Sequence, residues 1–290
     1  MNLSNNWHKS SIVRIPTFAA LVYAYFCAPV SLEHKAFVQP ITASSPHNAL
    51  ANRPRVVHVF VALADNEHQG IILVSPALGN GEDAERNLYW GAAYGIGTFF
   101  RKSADWKEIS SVPRAKSYIL ERRIFEHRGS GTILVADAYE GKEIKQALID
   151  FLNAAAGLDS EPISFPAASR SKPDDVPASA DLVVYVGHDG LMDFSLPLEF
   201  PNQTGANRPA IMLACASKSF FKDLLRKTGA QPLLWTTGLM APEAYTLKAA
   251  LDGWILNESR EQIRQRAAAA YSQYQKCSLS AATHLFSNSW

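Results

Sequence analysis

The sequence predicts an α/β fold: one doubly wound, mostly parallel sheet of about five to six strands with helices on both faces. Three observations predict it. Short apolar runs recur along the chain, stretches with helical periodicity separate several of them, and a polar or glycine residue ends nearly every run. Runs apolar at every position, rather than alternating, are the mark of strands buried on both faces, which parallel sheets contain.

The first run is VVHVFVALA from Val56 to Ala64, ended by Asp65 and Asn66. Gly131–Ala136, ended by Asp137, is the second, and Asp181–Val186, ended by Gly187 and His188, the third. The fourth and fifth are Pro209–Ala214, ended by Cys215, and Gln231–Thr236, ended by Thr237 and Gly238. Ile71–Val74 is a short further strand in a hairpin with the first. Ile144, Ala147, Leu148, Phe151 and Leu152 fall on one helical face, and Gly157 stops that helix. Phe220, Phe221, Leu224 and Leu225 mark a helix that starts just after Cys215 and ends at Gly229. Pro242 suits the first turn of the next helix, which carries Leu247, Ala250, Leu251, Trp254 and Ile255. Ser259 and Gln262 form a capping-box signature for one more. Leu88–Phe100 reads as a helix weakened by Gly91, Gly95 and Gly97.

The chain has 290 residues, 47% hydrophobic and 19% charged, with a net charge of +1. Nothing in that charge or its scatter favours nucleic acid. Lys9 and Arg14 precede an uncharged run from Ile15 to Val30, the pattern of a secretory signal. The expected organisation is a signal peptide over 1–31, a polar linker over 32–54 and one α/β domain over 55–290. The expected location is therefore periplasmic or extracellular, with no membrane span left after the signal is removed.

In open α/β sheets ligands bind beyond the carboxyl ends of the strands. The residues expected there are Asp65, Asp137, His188, Cys215 and Thr236. A histidine and a cysteine ending consecutive strands are a candidate catalytic pair, because an imidazole can take the thiol proton and leave a nucleophilic thiolate. Asp65 and Asp137 are candidates to line a pocket for a Lys or Arg side chain of a substrate, or else act as strand-end caps. No His or Cys cluster has metal-ligand spacing, and no cofactor is expected. A Cys-elbow hydrolase would need glycines flanking the nucleophile, which LACASKS lacks.

The blocks VVYVGH, ending at His188, and IMLAC, ending at Cys215, resemble those of the caspase-like cysteine peptidases (caspases, metacaspases, legumain, gingipains and separase). There too a hydrophobic strand ends in His-Gly and a later one in Ala-Cys or Gln-Cys. Here Asp189 intervenes between His188 and Gly190. The resemblance implies a caspase-like fold, a His188–Cys215 dyad, an oxyanion donor at Gly190 and a peptide or protein substrate. Separately, Gln69–Trp106, with NLYWGAAYG, looks similar to uncharacterised exported bacterial proteins. The expected function is an exported cysteine hydrolase of peptidase type. The alternative is a non-catalytic binding or surface-interaction protein on the same fold.

Overall fold

The computed structural model describes residues 53–158, 179–196, 200 and 207–290. The expected signal segment and all but the end of the expected linker lie outside them. The domain is α/β, with an open eight-stranded, mostly parallel sheet. In chain order the strands are β1 (Val56–Ala62), β2 (Trp106–Lys116), β3 (Ile119–His127), β4 (Ile133–Tyr139), β5 (Leu182–Val186), β6 (Pro209–Leu213), β7 (Gln231–Thr236) and β8 (Phe286–Ser287). Their spatial order is β2-β3-β4-β1-β5-β6-β7-β8. Strands β4, β1, β5, β6 and β7 run parallel. β2, β3 and β8 are antiparallel additions at the two edges.

Each of the five long apolar runs is a parallel strand, for the reason the sequence suggests. Val57, Val59 and Val61 of β1 belong to one core cluster, and Val56, Phe60 and Ala62 to the other. A strand buried on both faces has no position for a charge that lacks a partner. Helices α1 (Ile96–Lys102), α4 (Ala244–Ile255) and α5 (Arg260–Gln275) pack into the first cluster, and a short α6 (Leu279–Leu285) adds Ala282. Helices α2 (Ile144–Ala156) and α3 (Ser217–Thr228) pack into the second. α2 and α3 end at Gly157 and Gly229, both left-handed, and the Ser259–Gln262 capping box opens α5.

Four expectations are corrected. The sheet has eight strands, because the hairpin β2–β3 and the two-residue β8 are added to the expected set. Ile71–Val74 is not a strand; Ile72 and Leu73 are exposed. The helix expected over 88–100 begins only at Ile96, and the preceding chain is a series of turns. A side chain at Gly91 would collide with the Glu85 carbonyl and one at Gly95 with the Trp90 backbone, so these glycines serve close backbone approach. Pro242 precedes α4 rather than lying in its first turn.

Candidate active site

The five parallel strands, numbered along the chain, stand in the order 2-1-3-4-5, so the winding direction switches between β1 and β5. Such switch points open a crevice at the carboxyl ends. β5 and β6 are direct neighbours, with Val186 paired to Leu213. His188 and Cys215 each lie two residues beyond that pair. Both therefore follow neighbouring strands at the carboxyl end of the sheet. Gly187 makes the exit from β5 possible. Its φ is +145°, and a Cβ there would sit 2.7 Å from the Ala62 carbonyl oxygen of β1.

His188 is buried and held at two points. Its carbonyl accepts the Tyr185 hydroxyl at 2.7 Å, and its Nε2 lies 2.7 Å from Asp193 Oδ2. A single 3-10 turn, Gly190–Met192, folds the chain back to bring Asp193 there. The Gly70 N–H, from the loop after β1, donates to the same Asp193 oxygen at 3.1 Å. Asp193 thus orients the imidazole and is itself oriented by the loop after β1.

Between them stands Asp189, which has no accessible surface. Its Oδ1 accepts the Leu191 N–H at 3.1 Å, and its Oδ2 has no partner. Burial pushes this carboxyl up to about 7, against the Leu191 hydrogen bond and helped by the nearby charge of Asp193.

Cys215 is half-buried, with its thiol held by one residue of the loop after β7. Met240 N–H donates to Sγ at 3.4 Å, and the thiol donates to the Met240 carbonyl at 3.6 Å. Burial raises the thiol pKa; the Met240 N–H lowers it and the nearby Asp189 charge raises it. The turn that carries Cys215 is fastened from beneath. Ser217 donates to the Met212 carbonyl at 2.9 Å and accepts the Thr236 N–H at 3.0 Å, while the Thr236 hydroxyl donates to the Ala214 carbonyl. Thr236 is thus a structural tie between β6 and β7. Cys215 and His188 come to one edge of one sheet, but no hydrogen bond joins them, and each is held by its own partner.

The remaining candidates are placed differently. The Gly190 N–H is spent on the His188 carbonyl at 3.1 Å. A Cβ on Gly190 would meet Phe194, Ile144 and Leu148, so this glycine packs against α2. Its N–H is engaged within its own turn. The Ala216 N–H, beside Cys215, is likewise taken by the Gly238 carbonyl. Asp137 does not end its strand; it lies inside β4, fully buried, with Arg122 donating to both oxygens at 2.6 and 2.7 Å and His58 Nε2 at 2.9 Å. Burial alone would raise that carboxyl, but Arg122 and His58 hold it at about 2. Asp65 does follow the β1 run, where it accepts the N–H groups of Glu67 and His68 and pairs with the His68 ring. Both carboxylates are engaged by groups of the fold itself. Among the described residues no group of three or more His, Cys, Asp or Glu is placed to hold a metal, and no helix is long and apolar enough to cross a membrane.

Sequence reasoning missed Asp193, Asp189 and Met240 as parts of the site. A turn directly after a candidate histidine was the available signal for the two aspartates, since LMD follows GHDG with no strand pattern. Met240 had none, because it arrives from a separate loop. No protein-family model, curated protein or solved structure matches the chain.

Proposed function

We propose that the chain is an exported cysteine hydrolase, a caspase-like peptidase in which Cys215 is the nucleophile and His188 the general base and acid. The observation that carries this reading is that the two residues follow the neighbouring parallel strands β5 and β6 at their carboxyl ends. The Asp193–His188 contact supports it, because a carboxylate on Nε2 sets the ring's orientation. Catalysis on this reading begins with rotation of the Cys215 side chain from Met240 toward the imidazole. His188 takes the thiol proton, and sulfur attacks the substrate carbonyl carbon. The scissile C–N bond breaks as His188 returns the proton to the leaving amine. Water, deprotonated by His188, then attacks the thioester and releases the acid and the thiol.

A second reading is a non-catalytic binding protein on the same scaffold. The burial-raised thiol pKa and the occupied N–H groups of Gly190 and Ala216 favour it. Incubation of the full chain with a peptide mixture, followed by mass spectrometry, separates the two. The peptidase reading expects Cys215→Ala and His188→Ala each to abolish cleavage, with the double variant losing little more. Absence of cleavage by the wild type, together with slow alkylation of Cys215 near neutral pH, leaves the binding reading in its place.

A further inference from the structure

One loop occupies two groups that a cysteine hydrolase has to present. Residues 237–241 directly follow β7. Met240 clasps the Cys215 thiol with both of its backbone groups: its N–H donates to Sγ at 3.4 Å, and its carbonyl accepts the thiol at 3.6 Å. The Gly238 carbonyl accepts the Ala216 N–H at 2.8 Å. A backbone N–H directly after a nucleophile is a recurring donor to the oxyanion of acyl transfer. The nucleophile and the N–H beside it are therefore both taken by backbone of the same loop.

Different parts of the fold fasten the two ends of that loop. At its start the Thr237 N–H donates to the Leu285 carbonyl at 2.8 Å, and the Thr237 hydroxyl donates to the His284 carbonyl at 2.8 Å, both at the end of α6. β8 continues this attachment by pairing with β7. At the other end the Ala241 N–H donates to the Tyr271 hydroxyl of α5 at 3.2 Å. The Tyr271 ring in turn meets Phe286 of β8 edge-on, with centroids 5.5 Å apart. Between the fastenings Leu239 is 68% exposed, while the half-buried Met240 packs on the core. A segment held largely by hydrogen bonds, with little buried apolar surface, opens at lower cost than the sheet beneath it.

We infer that residues 237–241 are an autoinhibitory latch, which holds the Cys215 thiol on Met240 and fills the Ala216 N–H with the Gly238 carbonyl, so that one outward movement of the loop frees both groups for substrate. Tyr271 and Thr237 are its positioning residues: they set where the loop lies without touching the reacting atoms. This regulates the site of the proposed peptidase and rests on that reading for the use of the freed groups, though not for the closure itself. Turnover is scaled by the fraction of molecules with the loop open, and a substrate carbonyl competes with the Gly238 carbonyl for one N–H.

The test follows alkylation of Cys215 by iodoacetamide in the full chain, read site by site by mass spectrometry, with the free thiol of Cys277 as a reference outside the loop. Tyr271→Phe removes the acceptor of the Ala241 N–H and keeps the ring, and should speed Cys215 alkylation roughly three- to tenfold. Thr237→Val removes the hydroxyl bond to His284 and should speed it about two- to threefold, while Thr237→Ser restores the parent rate. Gly238→Ala should act in the opposite sense. Its Cβ meets Leu285 Cδ1 at an ordinary 3.7 Å, so the closed loop accepts it, and the reduced freedom of the open loop should slow alkylation about two- to fivefold. Equal Cys215 rates in parent and variants, or Cys215 and Cys277 rising together as in global unfolding, would each overturn the latch. Peptide cleavage by the same proteins separates this from the hydrolase reading. Alkylation rates in the expected order without any cleavage remove the hydrolase and keep the latch; cleavage with equal alkylation rates throughout does the reverse.

Discussion

Two buried aspartates, one in each half of the sheet, make opposite use of the same side chain. Asp137 lies within β4, where β3 supplies the fork of Arg122 and β1 supplies His58. Every charge there has a partner, and the carboxyl is held at about 2. Asp189 lies just past β5 with one backbone N–H, an orphaned oxygen, and Asp193 as its charged neighbour. A buried ion pair with good geometry is a structural joint. A buried carboxyl without a counter-charge lowers stability, and such groups concentrate where a protein does chemistry or binds. The contrast separates the half of the sheet that is scaffold from the half that carries the candidate site.

The largest effect expected from this comparison is at the joint. Asp137→Ala leaves Arg122 largely buried without its carboxylate and should cost about 3–5 kcal/mol, read from urea unfolding at neutral pH. Because the folded pKa of Asp137 is depressed, its contribution is present above about pH 4 and is lost as pH falls through about 2. A loss under about 1 kcal/mol would put Asp137 outside the scaffold's essential joints.

Asp189 should behave in the reverse sense. Its folded pKa is raised above the unfolded value, so its contribution is present below about pH 4 and disappears as pH rises through about 7. Asp189→Asn removes that penalty, and its stability advantage over the wild type should grow across this window toward at most about 4 kcal/mol. Equal pH dependence in the two proteins would break the comparison.

The smallest stability change is expected at Gly70. An added Cβ would lie 2.5 Å from Asp193 Oδ1, the far end of a side chain that can move aside. Gly70→Ala should therefore cost at most about 1 kcal/mol, yet shift the imidazole nitrogen NMR signals of His188 as Asp193 is displaced. Unchanged signals would show that the loop after β1 does not position the histidine.

The strands that build the site were legible because they are parallel and interior. VVHVFVA and LVVYV are apolar on both faces but for His58, and short β-branched runs of that kind suit the middle of a sheet better than any surface element. The β2–β3 hairpin was not legible. WKEISSVPRAK mixes charge, serine and an internal proline, and it is a strand because β3 pairs with it at an exposed edge where polar side chains are tolerated. IILV at 71–74 failed in the opposite way: it has the composition of a strand but no strand beside it.

By itself the sequence determined the parallel strands, the helix ends at Gly157 and Gly229, the Ser259 cap, and the arrival of His188 and Cys215 at the ends of successive strands. These follow from local pattern, because burial on two faces, a left-handed glycine and a capping hydroxyl are each set by a few adjacent residues. Only the tertiary structure decided which strands neighbour one another, that Asp137 would meet Arg122, that Asp193 would turn back onto His188, and that Met240 would hold the Cys215 thiol. Each of those joins groups whose meeting depends on how the chain returns upon itself, and a side chain's chemistry is set by the partner that arrives.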